Sequence, residues 1–145
     1  MTGVQTCALP ICLGLINIFI EDIIRQGSVN VFGDGSNLRN YIYVKDVSRL
    51  LSLSLNADKS VSNIWNLASM DSFTINQVIE RMKVLLPVDF TFNYLHARSS
   101  DNTAIDIDNS KLMSAFPGFT FTEFDQAVLS TFLHIKQQLS LNSAK

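Results

Sequence analysis

The sixteen residues Val31-Phe32-Gly33-Asp34-Gly35-Ser36-Asn37-Leu38-Arg39-Asn40-Tyr41-Ile42-Tyr43-Val44-Lys45-Asp46 restrict the possible folds more than any other stretch. Val29, Val31 and Phe32 are β-formers, and Gly33-Asp34-Gly35-Ser36 is turn chemistry. Glycine takes φ > 0 without steric cost, while Asp and Ser bond back to nearby backbone. Tyr41 to Val44 is a β-branched and aromatic run, so a second strand is expected there, making a hairpin with the first. Asp46 stands where a carboxylate accepts orphan N–H groups at a helix start. Arg39, just beyond the turn, offers a rigid, permanently charged fork of donors suited to an anion. By itself the pattern reads strand, turn, strand, helix, and a surface hairpin with a solvated arginine fits it as well as an anion contact does.

A chain of 145 residues has room for one domain with a real core. Its 47% apolar and 17% charged content is globular composition, and a net charge of −2 gives no electrostatic reason to expect nucleic acid or an anionic membrane as partner. The longest apolar run, Ile11 to Ile20, ends at Glu21-Asp22, short of the ~20 residues that span a bilayer. No Lys or Arg precedes it, so a secretory signal is not indicated, and a cytoplasmic protein is expected. Cys7 and Cys12 lack companions for a disulfide framework or a metal site.

Residues 1–12 have no helical or strand period and are broken by Pro10. They resemble translated sequencing-adapter sequence and are set apart as an artefactual or disordered head. From Leu13 to Gln26, apolar residues at 16, 19, 20, 23 and 24 make one helical face, stopped by Gly27. After Asp46, Val47, Leu50, Leu51 and Leu55 give another helix an apolar stripe. Ile64 to Ala68 reads as a buried strand, in which Asn66 ties down backbone or meets a ligand. Thr74-x-x-Gln77 is a capping box opening a helix with Ile75, Val78, Ile79, Met82 and Leu85 on its apolar face, closed by Pro87. Phe90 to Tyr94 alternates as a strand. Asp108 is placed to cap a helix over Ser110–Phe116, and Thr122-x-x-Asp125 offers a weak box before a last helix with Phe124, Val128, Phe132 and Ile135 facing inward. The tail, 139–145, is expected to fray.

Taken together, the Gly-Asp-Gly-Ser turn, Arg39, the aromatic run and Asp46 resemble the C-terminal half of the extended short-chain dehydrogenase/reductases, the NAD-dependent epimerase/dehydratase family acting on nucleotide sugars. Ile64-Trp65-Asn66-Leu67-Ala68 is similar to that family's Tyr-Asn-Leu-Gly strand end, with Trp65 and Ala68 as departures. Arg98 and Asp101, followed by Asp108 and Lys111, resemble its Arg-x-x-Asp and Asp-x-Ser-Lys landmarks, with Asn109 as an extra polar position. The resemblance implies that Asn30, Val31 and Phe32 touch the nucleotide base, Arg39 and Arg98 clamp the diphosphate, and Asp101 bonds a ribose hydroxyl. Tyr41 and Lys45 repeat the Tyr-x-x-x-Lys spacing of the family's catalytic pair. That pair needs a helix, where i and i+4 are neighbours, whereas a strand would hold them ~13 Å apart. They are rejected as catalytic.

No Gly-x-Gly-x-x-Gly occurs anywhere, although a nucleotide cofactor needs glycines where backbone meets its pyrophosphate. The expected fold class is therefore α/β, the C-terminal part of an NAD(P)-binding Rossmann-fold protein with its substrate-binding lobe, over residues 13–138 and with the sheet incomplete. The resemblance implies a parent enzyme that uses NAD or NADP on a nucleotide-diphosphate sugar and can form a homodimer. This stretch would be inactive alone, with no catalytic residue, metal or tightly held cofactor of its own. Two alternatives stay open: a reductase of the same superfamily with a non-nucleotide substrate, and a non-catalytic α/β interaction module.

Overall fold

The computed structural model describes residues 14–55, 63–97 and 107–142. Helix α1 (Leu15–Gln26) ends on Gly27, whose φ of 66° lets its N–H reach the Ile23 carbonyl. Its inward face carries Phe19, Ile20 and Ile23, on the expected period. Strand β1 (Ser28–Phe32) follows, then β2 (Leu38–Asn40), α2 (Val44–Leu55), β3 (Ser72–Thr74), α3 (Ile75–Leu85), β4 (Thr91–Leu95), α4 (Ser110–Ala115) and α5 (Phe124–Asn142). The capping box at α3 is complete: the Gln77 amide donates to the Thr74 hydroxyl, and the Gln77 side chain accepts from the Thr74 amide. Helix α5 runs on through the polar residues after Gln137 to Asn142.

Two pairings organise the strands among the described residues. β1 and β4 run parallel, Ser28 opposite Thr91 and Phe32 opposite Leu95, a geometry that requires a long crossover rather than a tight turn. β2 pairs antiparallel with β3, placing Arg39 opposite Phe73. The Gly-Asp-Gly-Ser turn therefore does not close a hairpin. It hands the chain from one two-stranded sheet to the other.

The main core gathers α1, β1, α3 and α5. Ile20, Val29, Val78, Met82 and Phe132 are sealed from solvent, with Val31, Ile79 and Val128 nearly so. A second, smaller cluster holds Leu50, Leu112 and Phe119, edged by Trp65, Phe116 and Phe121.

Three expectations need correction. The Tyr41–Val44 run is not a strand, because α2 begins at Val44 and residues 41–43 carry no ladder. The α2 stripe buries Leu50 and Asp46, while Leu51 and Leu55 are 56% and 85% exposed. Ile64 to Ala68 has the composition of a buried strand but no ladder partner among the described residues, and Ile64 stays exposed. Tyr41 instead packs its ring on Phe124, and the strand and stripe preferences of the other two segments yield to what the chain offers them to pack on.

Candidate functional site

The turn after β1 is held from several sides. Gly33 and Gly35 take φ of 79° and 74°, conformations that side chains with a Cβ rarely adopt. The Asp34 carboxylate accepts from the Ser36 hydroxyl at 2.6 Å and the Ser36 amide at 2.9 Å. Those two bonds hold its carboxyl below the ordinary carboxylate range. The Gly33 amide donates to the Leu95 carbonyl at 2.9 Å, which fastens the turn to the carboxyl end of β4. Ligands of open α/β sheets bind at such strand ends.

Arg39 is half-buried on β2, with Nη1 donating to the Leu38 carbonyl at 2.8 Å. Its neighbour Asn40 accepts from the Ile107 amide at 3.0 Å and donates to the Ser72 hydroxyl at 2.8 Å. Chain beyond β4 thus returns beside Arg39. Arg98 and Asp101 themselves lie outside the described residues. Of the remaining predicted contacts, Asn30 is exposed on β1 and Phe32 is half-buried at its end. The Val31 side chain is 1% exposed within the main core, so only its backbone could face a ligand.

Tyr41 and Lys45 diverge. The Tyr41 ring packs edge-on against Phe124 with centroids 5.7 Å apart, whereas Lys45 lies exposed over Tyr43. Burial pushes the Tyr41 phenol up to about 12, only partly opposed by the Arg39 charge. A catalytic tyrosine needs the opposite shift, which reinforces its rejection although the segment is not the strand first expected. The Tyr41 hydroxyl is buried with no hydrogen-bond partner among the described residues.

Asp46 is where sequence reading fell furthest short. Rather than capping α2 from outside, it lies within the first turn and is 1% exposed. Its carboxylate accepts from the Thr122 amide and hydroxyl, both at 2.8 Å, and from Arg49 at 2.9 Å. A buried carboxylate persists only when its oxygens are satisfied, and here they fasten α2 to the link before α5. Thr122 is thereby engaged with Asp46, and Asp125 pairs with Arg81 at 2.7 Å. Nothing in the local sequence announces a partner so distant.

Smaller assignments hold more closely. Asp108 accepts from the Ser110 amide at 2.8 Å at the start of α4. Asn66 donates to the Asp108 carbonyl, tying down backbone from an exposed position. A cleft of about 890 Å³ opens between the start of α1, residues 40–46 and α5. Asn40 and Tyr41 line it, while Asn30, Val31, Phe32 and Arg39 do not. Lys45 lines the cleft but Arg39 does not, so the cleft and the predicted arginine grip are not the same place. No cluster among the described residues could hold a metal ion, and no described helix is long and apolar enough to cross a membrane.

Comparison with known proteins bears on this arrangement. Residues 13–68 match the model of the NAD dependent epimerase/dehydratase family. The UDP-glucose 4-epimerase of Lactobacillus helveticus is 24% identical over 103 residues, which span 66% of this chain and 31% of that protein. Among solved structures, the Thermotoga maritima UDP-glucose 4-epimerase with UDP-glucose is 25% identical, with a TM-score of 0.77 over 87% of this chain and 40% of that one. The Methanobrevibacter ruminantium UDP-N-acetylglucosamine 4-epimerase, in complex with UDP-N-acetylmuramic acid, is 28% identical, with a TM-score of 0.78 over 90% of this chain and 41% of that one. The chain thus spans about two-fifths of these solved relatives and has their α/β fold in that part.

Proposed function

We propose that this chain, whose residues 13–68 match the model of the NAD dependent epimerase/dehydratase family, forms the nucleotide-sugar-binding part of an NAD(P)-dependent sugar-nucleotide epimerase or dehydratase. The observation that carries this reading is the half-buried Arg39 on β2, beside a glycine turn fastened to the carboxyl end of a parallel strand pair. An arginine there can make charge-assisted, bidentate bonds to a diphosphate, each roughly twice as strong as a neutral hydrogen bond. Phe32 and the exposed Asn30 take the base side of the nucleotide, and Arg98 and Asp101 supply the second cation and the ribose contact.

The contribution is positional: a nucleotide diphosphate held at two points fixes where the attached sugar lies. The Gly33-x-Gly35 turn does not fit a cofactor pyrophosphate: it leads into a strand instead of a helix N-terminus, and its Ser36 amide is already taken by Asp34. No chemical step is therefore assigned to this part of the protein. NAD or NADP and the proton-transfer groups belong to the complete enzyme, for which a cytoplasmic setting and a homodimer go with this reading.

Calorimetry with uridine diphosphate, comparing the chain with its Arg39→Ala variant, tests the assignment. Loss of a charged contact worth about 1.5–3 kcal/mol predicts affinity weakened by roughly ten- to a hundredfold. Equal affinity in the two proteins would remove the nucleotide from this reading and favour a substrate without a diphosphate.

A further inference from the structure

We infer that Asn76 is a positioning residue for the ligand grip: it clamps the turn that precedes Arg39 to the strand end of β4. The inference rests on the functional reading above for what the grip holds, but its geometry is independent of any ligand. Asn76 is the second residue of α3, and every polar function of its side chain and its amide is directed away from that helix. Its backbone N–H donates to the Gly35 carbonyl at 3.1 Å, and its side-chain N–H donates to the Asp34 carbonyl at 3.0 Å. Its side-chain oxygen accepts from the Tyr94 hydroxyl at 2.8 Å. Tyr94 is the penultimate residue of β4. One amide therefore bridges the turn and the strand that leads towards Arg98.

Two features separate this from routine helix capping. The α3 N-terminus is already served by the reciprocal Thr74–Gln77 box, so Asn76 is not needed there. Gly35 is buried against it, and a Cβ added at Gly35 would overlap the Asn76 side chain. The turn and the asparagine thus fit one another. The bond to Gly35 also continues the tie between β2 and β3, where Leu38 faces Thr74 and Arg39 faces Phe73. Holding the turn at Asp34 and Gly35 sets the point from which β2, and Arg39 with it, departs. By contrast, the Asp34 carbonyl and the Tyr94 hydroxyl belong to exposed residues, and water can replace Asn76 at both. Its loss should loosen the geometry with little cost to the fold.

The test is a double-mutant cycle on the full chain with Asn76→Ala and Arg39→Ala, read by calorimetry with uridine diphosphate. Asn76→Ala should weaken binding by about tenfold, as expected for two lost hydrogen bonds that order the site. In the Arg39→Ala background it should have no further effect, because it acts through that arginine. Additive losses, or no loss from Asn76→Ala, would overturn the inference. A lack of effect from Arg39→Ala would instead overturn the functional reading. Amide hydrogen exchange on the ligand-free protein decides the positioning claim by itself. Asn76→Ala should speed exchange at residues 35–40 by about tenfold while leaving the α1 amides unchanged. Unaltered exchange at 35–40 would refute it.

Discussion

Helices α2 and α3 carry comparable apolar patterns yet meet different fates. Helix α3 buries Ile75, Val78, Ile79 and Met82 in a core shared with α1, β1 and α5. Helix α2 buries Leu50 and an aspartate, leaving Val44, Leu51 and Leu55 exposed. An amphipathic period specifies that a helix can form and which face prefers burial. Whether that face is covered depends on what stands opposite. Fully burying one aliphatic or aromatic side chain contributes about 1.5–3 kcal/mol, so the two regions differ greatly in what holds them. The smaller cluster compensates with polar fastening: the Asp46 bonds to Thr122, and Asn109 donating to the Ala68 carbonyl at 2.8 Å.

That contrast can be broken most forcefully in the main core. Phe132 is fully buried on α5, and Phe132→Ala should lower stability by about 3–5 kcal/mol in urea unfolding. A loss below about 1 kcal/mol would mean that the core is not the close-packed unit described.

Next in size is the polar latch. Asp46→Ala leaves the Thr122 amide and hydroxyl without their acceptor and should cost about 3 kcal/mol. The chain's one tryptophan, Trp65, edges the smaller cluster and reports on it separately. In the variant its fluorescence transition should precede the loss of far-ultraviolet ellipticity, whereas coincident transitions would show that the two regions do not separate.

The smallest effect tests the buried hydroxyl that lacks a partner among the described residues, at Tyr41. Tyr41→Phe should leave stability at neutral pH unchanged or raise it by up to about 1 kcal/mol, since a desolvated group without compensation is removed. The alkaline behaviour has a definite sign. The folded-state phenol is raised to about 12 from an ordinary 10, so its contribution is complete below pH 10 and is lost as pH rises towards 12. The parent protein should weaken over that window more steeply than Tyr41→Phe. Parallel curves would show that the phenol is not buried in solution.

The local parts of the fold were legible because their determinants are neighbours in sequence. The α1 face and its Gly27 stop, the Thr74–Gln77 box, Met82 as core and Asp108 at the start of α4 all follow from spacings of a few residues. The candidate site was legible in part. Arg39 and the glycine turn were identified from residue chemistry and from the family resemblance, and the structure places them at the join between two sheets. Asn76 was missed as a site residue, because an asparagine two positions past a capping threonine gives no local sign that its amide reaches a distant turn.

By itself, then, the sequence determined which segments favour helix, where they start and stop, and that the Gly33–Ser36 segment turns. Tertiary structure decided the partners: β1 with β4 instead of with the chain returning from its own turn, Asp46 with Thr122, and Ile64 with no ladder among the described residues. The physical reason is that helix hydrogen bonds and caps close within four residues, so the information they need is adjacent. Strand pairing and buried-polar satisfaction choose among distant segments, and that choice is made by the burial available when the chain packs.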